Sequence, residues 1–359
     1  MKLLICGDLC ATNQSFDAFN ATDEVRAFND TLPIIRSADR AIVNLECALT
    51  DSENSIKKFG PNLKSPINTA DTLKKAGFTD IMLSNNHVFD FGIEGLCDTV
   101  KELKRCGFYY TGIGDNYEDS RKNHTIELDG IRACIINVCE HEYTYATDKR
   151  CGARPFDEFE TMDDIRKAKR VHDKVIVIYH GGKEYCKYPS PRLLKACREM
   201  VRCGADAVLC QHSHCIGTYE LFEGGHILYG QGNFHFLSKE DADFWKEGLM
   251  VMLDVNKDSI DIDFIPVKET ADGIRIATDE EKASIFNEMN ERAKSISDGS
   301  YKDKFNEFCQ TINEEYMGVI GYTPSSLPKD YQHFAHFLDC EAHTDVLREL
   351  FKTWNETNR

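Results

Sequence analysis

Short apolar runs alternate with segments of helical spacing through the first two thirds of the sequence. The apolar runs are rich in β-branched residues and predict strands at residues 2–7, 41–45, 80–84, 132–138, 174–179, 207–211, 227–229, 248–255 and 259–267. Apolar residues three and four positions apart predict helices at residues 24–37, 69–76, 94–106, 161–171 and 192–203. This alternation is typical of α/β proteins, in which helices pack on a sheet.

The pattern changes at about residue 279, where strand signals stop and helical spacing continues. The recurring apolar residues are Ile285, Met289, Ala293 and Ile296. A break at 298–300 and Pro328 then lead to a last helix that we expect to end near residue 354. We therefore predict a main domain at 1–278 and a helical extension at 279–359.

The extension is expected to pack on the main domain, because a solvated tail would not carry so many aromatic residues. Its helical pattern includes Phe305, Phe308, Tyr316, Phe334, Phe337, Phe351 and Trp354. A sharper alternative is that part of the extension lies over the strand ends and narrows access to them, as a lid does.

The charge balance excludes some partners. There are 43 Lys and Arg residues against 60 Asp and Glu residues, and the resulting net charge of -17 disfavours nucleic-acid binding. No stretch approaches the ~18 to 20 apolar residues of a membrane helix, and Gly7 and Asp8 interrupt the first apolar run, so we expect a cytoplasmic protein. Fifteen scattered cysteines without a C-x-x-C pair predict reduced thiols rather than a disulfide framework.

Polar residues stand where the predicted strands end. They are Asp8, Glu46, Asn86, His87, His180, His212 and His214. In α/β sheets, ligand sites usually lie at the carboxyl ends of the strands, so these side chains are expected to meet. Any one of them alone is more often a hydrogen-bonded structural residue, but their joint placement favours a shared site.

Metal binding is a sufficient common cause for this placement. Two carboxylates, one amide and three imidazoles form an N/O donor set that suits Mn, Fe or Zn, with Mg also possible. Six donors are too many for one closed zinc site and fit two divalent ions roughly 3.5 to 4 Å apart. Because an amide cannot act as a general base, Asn86 is assigned to coordination and its neighbour His87 to acid catalysis.

Several segments together resemble the bacterial capsule-synthesis CapA family, also described as poly-gamma-glutamate biosynthesis proteins. In order, they read ICGDLCAT, VNLECALT, SNNHVFDFG, YHGGKEY, CGADAVLCQHSH and ILYGQGNFHF. This family is similar to the calcineurin-like metallophosphoesterases, and the resemblance covers about residues 1–267. It implies a four-layer α/β/β/α sandwich with a dinuclear metal site at one end of the sheets.

The resemblance also implies a role for each matching residue. Asp8 matches the first aspartate ligand, and Glu46 stands in the place of the bridging aspartate. Asn86 matches the asparagine ligand, and His87 the imidazole that meets the leaving group. The remaining matching ligands are His180, His212 and His214. The sequence departs from the pattern at Cys10, where phosphoesterases carry a histidine. Either Cys10 is an extra ligand, or one metal is bound more weakly, with fewer protein ligands and more water.

Further residues near these motifs are candidates for roles at the site, although each of them also has a structural interpretation. Asp90 is assigned to orient the preceding imidazole as part of the catalytic pair, with a turn or cap role as the alternative. Glu184 and Tyr185 are candidates for lining the substrate pocket or for capping the next helix. Asn233 is a substrate-binding candidate that we expect to support the site through hydrogen bonds. The charged residues 140–142 follow a predicted strand end, which places them either at the pocket or in a solvated loop, and we expect the solvated loop.

Three functions are consistent with these patterns. The main hypothesis is a metal-dependent hydrolase of phosphoester or related bonds, acting on a small or polymeric anionic substrate. The first alternative is a protein of poly-gamma-glutamate synthesis or processing. The second alternative is a metal-stabilised module that binds a polymer without turnover.

Overall fold

The computed structural model describes residues 1–238, 242–320 and 328–357. The strands are β1 Lys2–Leu9, β2 Arg40–Leu45, β3 Ala48–Leu49, β4 Lys64–Ser65, β5 Asp80–Met82, β6 Tyr109–Thr111, β7 Ile113–Gly114, β8 His124–Leu128, β9 Ile131–Cys139, β10 Gly152–Ala153, β11 Lys174–His180, β12 Ala207–Gln211, β13 Tyr219–Phe222, β14 Gly225–Leu228, β15 Asn233–His235, β16 Glu247–Val255, β17 Ile260–Glu269 and β18 Ile274–Ile276. The helices are α1 Phe16–Asn20, α2 Glu24–Phe28, α3 Leu32–Ser37, α4 Thr69–Ala76, α5 Gly92–Arg105, α6 Tyr117–Ser120, α7 Glu158–Lys169, α8 Pro191–Arg202, α9 Asp279–Asp298, α10 Tyr301–Thr311, α11 Asn313–Ile320, α12 Pro328–Asp339 and α13 Glu341–Thr357.

Two large sheets form the centre of the fold. The first sheet has the order β18-β17-β16-β1-β2-β5-β6, and β15 also pairs with β1. The second sheet has the order β13-β14-β12-β11-β9-β8. The strands that precede the predicted site residues, β1, β2 and β5 in one sheet and β11 and β12 in the other, run parallel within their sheet. Their carboxyl ends therefore lie together at one edge of each sheet.

The alternation of side chains along each strand explains the layers. In β1, Leu3 and Ile5 pack in a core between the sheets, which also contains Ile176 and Ile178 of β11. The intervening residue Leu4 belongs instead to a core between the first sheet and helices α1 to α5. A third core lies between the second sheet and helices α7 and α8. The predicted four-layer α/β/β/α sandwich is confirmed.

Some predicted elements differ in extent. The helix expected at 24–37 is divided, because Asn29 adopts a φ of 44° and a new helix begins at Leu32, with Pro33 in its first turn. Strand β8 was not predicted. Its polar outward residues hide the apolar pattern, although Asp129 and Gly130, both with positive φ, form the kind of turn that marks a β-hairpin.

The C-terminal helices contact the main body at several places. Ile285 and Met289 of α9 join the core between the sheets. Phe305, Tyr316 and Phe337 are buried with Cys186 of the main body in a fourth core. The expectation of burial was wrong for two residues of the aromatic set: Phe351 is 47% exposed and Trp354 is 63% exposed.

The predicted single last helix is two helices, α12 and α13, which break at Cys340. Among the described residues, no helix has the length and apolar character needed to cross a membrane. All fifteen cysteines are free, as expected for reduced thiols.

Candidate metal centre

The two sheets contribute equally to the predicted centre. Asp8, Glu46 and Asn86 come from the carboxyl ends of β1, β2 and β5, and His180, His212 and His214 come from those of β11 and β12. All six residues are buried. The sequence-predicted ligand residues thus lie together across the interface between the sheets.

One group of donors contains Asp8, Glu46 and His180, whose ligand atoms all lie within 4.8 Å of one another. His180 Nδ1 lies 3.6 Å from Asp8 Oδ1, and His180 Nε2 lies 3.4 Å from Glu46 Oε1. The histidine ring therefore stands between the two carboxylates.

A second group contains Glu46, His212 and His214, again within 4.8 Å of one another. His212 and His214 both have positive φ values, 81° and 54°, which are uncommon outside glycine. Backbone of this kind is typical of functional sites, where the surrounding structure holds it in place. The backbone N–H of His212 donates to Asp8 Oδ2 at 2.9 Å, which ties the loop to the first sheet.

Glu46 is shared by both groups. Among the described residues, neither of its carboxylate oxygens has a hydrogen-bond partner, although both are buried. Its close contacts are with the imidazoles of His180 and His214, at 3.4 and 4.0 Å. A buried carboxylate without hydrogen bonds is costly, and a bound cation would offset that cost. The donor set and this carboxylate fit the binding of a divalent cation.

The charge of the cluster also favours a cation. Burial by itself lowers the pKa of His180, but the Glu46 and Asp8 carboxylates outweigh burial and raise it to about 10. Burial would raise the pKa of Asp8, whereas His180 and His214 hold it below its usual range. The carboxylates thus attract positive charge to this position.

Asn86 completes the predicted ligand set. Its Oδ1 lies 2.9 Å from His180 Nε2, so the amide oxygen is directed toward the centre. Asn44, which the sequence analysis did not single out, donates from Nδ2 to Asp8 Oδ1 at 2.7 Å. Asn85 donates in turn to Asn44 Oδ1 at 3.0 Å. The hydrogen bonds of these two amides fix the orientation of the Asp8 carboxylate. The pattern of polar residues at strand ends does not predict such hydrogen bonds.

His87 and Asp90 form a pair beside the centre. His87 Nδ1 lies 2.6 Å from Asp90 Oδ2, as expected for a carboxylate that orients an imidazole. Lys58, a residue missed by the sequence analysis, donates to Asp90 Oδ1 at 2.6 Å and lies 3.1 Å from His87 Nδ1. Its side chain is only 2% exposed, so this ammonium is a buried positive charge next to the centre.

The three substrate-binding candidates occupy different positions. Asn233 Oδ1 lies 2.9 Å from His214 Nδ1, and this contact fits a role in positioning the ring. Burial raises the pKa of Glu184, but Lys183 and the neighbouring imidazoles lower it to about 2, so it is a carboxylate at the border of the centre. Tyr185 is 44% exposed, and its ring centroid lies 6.4 Å from that of His214.

Cys10 is buried in the core between the first sheet and the helices. Its Sγ is 3.7 Å from Ser65 Oγ. Contact with Cys47 and burial raise its pKa well above the usual value, which favours the neutral thiol. Among the described residues, Cys10 does not belong to any of the donor groups.

The expectation of a solvated loop at 140–142 was wrong. Glu140 and Glu142 are both buried. Glu140 accepts hydrogen bonds from Tyr179 and Arg192, at 2.8 and 2.7 Å. Burial raises the pKa of Glu142 to about 7, although the charge of Lys58 opposes this shift. Each buried carboxylate follows a strand end, and that position was the signal that could have identified them.

The C-terminal extension contacts the loop that carries Lys58. The ring of His333 stacks on Phe59 with centroids 4.0 Å apart, and His336 lies 5.1 Å from the same ring. His336 also stacks beside Tyr143, at 6.1 Å. Two imidazole rings of α12 thus pack against aromatic residues of the main body, one of which, Phe59, follows Lys58.

One family of known proteins matches most of this chain. The family described as bacterial capsule synthesis protein PGA_cap matches residues 2–238, about two thirds of the chain. The chain belongs to this family. The resemblance noted from the motifs is thereby confirmed, and every predicted ligand residue lies within the matched segment.

Two curated relatives have moderate sequence identity to this chain. The capsule biosynthesis protein CapA of Bacillus anthracis is 28% identical over 245 residues, covering 66% of this chain and 60% of the relative. The PGA biosynthesis protein CapA of Bacillus subtilis strain 168 is 29% identical over 209 residues, covering 57% of this chain and 55% of the relative. The chain thus spans less than two thirds of the length of these relatives.

A solved structure of a hypothetical protein from Thermus thermophilus aligns with 75% of this chain and 100% of its own. The TM-score is 0.48 and the sequence identity is 16%.

Proposed function

We propose that this chain is a metal-dependent hydrolase that acts on an anionic polymer of the poly-glutamate type in capsule synthesis. Membership of the capsule synthesis family supports the process. The name of the Bacillus subtilis relative, a PGA biosynthesis protein, supports the class of polymer.

The observation that carries the reaction class is the Glu46 carboxylate. It is buried, neither of its oxygens has a hydrogen-bond partner among the described residues, and two groups of donors share it. A carboxylate that serves only to stabilise the fold would be expected to accept hydrogen bonds. Two-metal hydrolytic sites, in contrast, use a carboxylate that is shared between two groups of ligands.

The proposed ligands are Asp8, Glu46, Asn86, His180, His212 and His214. Two divalent ions held there, with Mn, Fe or Zn favoured by the donors, would supply an activated water and neutralise negative charge on the reacting group. The remaining steps belong to side chains beside the centre.

His87 is proposed as the acid that protonates the leaving group. Asp90 engages its Nδ1, so Nε2 is the ring atom that transfers the proton. Because Asp90 also pairs with Lys58, the carboxylate holds both groups in fixed positions. Lys58 adds a buried positive charge that would attract the carboxylates of an anionic polymer.

Phosphoester hydrolysis is the second candidate reaction. The pairing of His87 with Asp90, next to an Asn86 amide directed at the centre, is the observation that favours it. Binding of a polymer without turnover is the third candidate. The neutral Cys10 thiol, at a position where phosphoesterases are expected to carry a histidine, favours that reading.

One set of assays separates these candidates. The chain is loaded separately with Mn, Zn, Fe or Mg and incubated with poly-gamma-glutamate or with phosphomonoester and phosphodiester model substrates. We expect metal-dependent shortening of the polymer, lowered by about 10² or more in His87→Ala. His172→Ala, which removes a half-buried imidazole far from the predicted ligands, is the control.

Each outcome decides between the readings. Cleavage of the phosphoesters with an intact polymer would replace the proposal by the second candidate. Polymer binding without cleavage of any substrate would replace it by the third. Unchanged metal content in both His180→Ala and His212→Ala would refute the metal centre itself.

A further inference from the structure

A second cluster of donors lies between the main body and the C-terminal helices, and it touches the predicted ligands at one point, a hydrogen bond between Glu142 and Asn86. It consists of Glu142, Cys340 and His343, and we call it the Cys340 cluster. The ligand atoms of the three residues lie within 4.8 Å of one another, and all three residues are buried. Cys340 and His343 stand at the junction of α12 and α13, outside the segment matched by the family.

The chemistry of the three donors is that of a zinc ligand set. Zn²⁺ in proteins is held by thiolate, imidazole and carboxylate groups. His343 Nδ1 is hydrogen-bonded to the hydroxyl of Tyr316, which leaves Nε2 as the ring atom for a ligand. Metal-binding histidines commonly have their other ring nitrogen fixed in this way, so the ring is already oriented.

The neighbouring charges leave room for a cation. Glu140 and Glu341 also lie near Cys340, but each has its own counter-charge. Arg192 pairs with Glu140 at 2.7 Å, and His141 contacts Glu341 at 2.6 Å. The charge of Lys58 also acts on Glu142, but the ion pair of Lys58 is with Asp90, so Glu142 is the carboxylate of the cluster that a cation would neutralise.

The Cys340 cluster also joins two parts of the chain. Glu142 follows β9 in the main body, whereas Cys340 and His343 belong to the extension. Hydrogen bonds already hold this junction in part. The N–H of Ala342 donates to Glu140 Oε2 at 3.1 Å, and Cys340 Sγ lies 3.5 Å from the same oxygen.

We propose that Glu142, Cys340 and His343 bind a zinc-like divalent ion that fastens the C-terminal helices to the main body. Binding would release the thiol proton of Cys340 to solvent, so that the thiolate is the ligand. This site shares no ligand with the proposed catalytic centre, although Glu142 contacts Asn86, and it does not depend on the reaction proposed above.

Cobalt substitution tests the proposal, because the predicted ligands of the catalytic centre are nitrogen and oxygen atoms only. The full chain is produced in medium supplemented with cobalt, and its near-ultraviolet absorption is measured. A thiolate-to-cobalt charge-transfer band is expected in the wild-type protein and should disappear in Cys340→Ser. Cys10→Ser is the matched control and should keep the band, since that thiol lies outside the donor groups found among the described residues.

Zinc-loaded protein provides the second measurement. Cys340→Ser and His343→Gln should each lose about one equivalent of zinc per chain. His212→Ala should lower the metal content of the other centre while keeping the cobalt band. His343→Gln leaves the thiol in place and keeps the proposal testable if Cys340→Ser does not fold.

Three results would overturn the proposal. They are absence of the band in the wild-type chain, a band that survives Cys340→Ser, and a band that Cys10→Ser abolishes. An unchanged zinc content in His343→Gln would also contradict it, whatever the outcome for the catalytic centre.

Discussion

Replacing His235 by leucine should make the protein markedly less sensitive to acid. His235 is fully buried in β15, with Phe19 and Phe28 packed edge-on against its ring. Neither ring nitrogen has a hydrogen-bond partner among the described residues. Leucine has a similar volume and no polar atoms, so it removes the titration and leaves the packing nearly unchanged.

The magnitude follows from the pKa of the imidazole. Burial lowers the pKa of His235 from its usual 6.5 to about 4. Between these two values the unfolded chain binds a proton that the folded protein does not, so stability falls as pH falls. The wild-type protein should lose about 2.5 kcal/mol from this residue between about pH 7.5 and about pH 4.5, and about 3.4 kcal/mol at still lower pH.

Urea denaturation of both proteins over this pH range, in the presence of a chelator, measures the effect. All other titrating groups are common to the two proteins and cancel in the difference between their free energies of unfolding. When the pH is lowered from about 7.5 to about 4.5, the free energy of unfolding of His235→Leu should rise by about 2.5 kcal/mol relative to that of the wild-type protein. Parallel curves for the two proteins would refute the reasoning.

Three further predictions concern the centre. Asn86→Ala should weaken metal binding while His87→Ala keeps the metal and loses turnover, and identical metal titrations for the two variants would contradict the division of roles. Asn233→Leu should lower metal affinity about 10- to 100-fold by releasing the His214 ring, which equilibrium dialysis against zinc would measure. If α12 borders the substrate path, His336→Leu should alter KM for the polymer more than KM for a small phosphoester. Equal changes in the two KM values would contradict a position of α12 beside that path.

The sequence was a good guide to the sheet core and to the ends of its central strands. Buried parallel strands such as β1 and β11 consist of nearly continuous apolar residues, so the first polar residue marks both the strand end and the site. That is why Asp8 and His180 could be placed near each other from the sequence. Strand β8 was not predicted from the sequence, because alternate residues of this strand face outward and are polar.

Other features depended on contacts between distant parts of the chain. Lys58 lies in a segment without regular secondary structure, and only the fold brings it to Asp90, 32 residues later. Glu142 and Cys340 meet across about 200 residues, a distance over which residue spacing carries no signal. The break between α12 and α13 at Cys340 was likewise not visible in the helical pattern.

The division of the predicted ligands between the two sheets links cation binding to the mechanics of the sandwich. Asp8 and Glu46 are fixed to one sheet and His180 and His212 to the other, so any sliding of the sheets pulls the donors apart. Consider an ion that binds only when the donors of both sheets are together. At a free concentration of 100 times its Kd, this ion would oppose the separation of the donors by about 2.7 kcal/mol. Amide hydrogen exchange in β1 and β11 should therefore slow with cation occupancy, because the bound ion would hold the two sheets together.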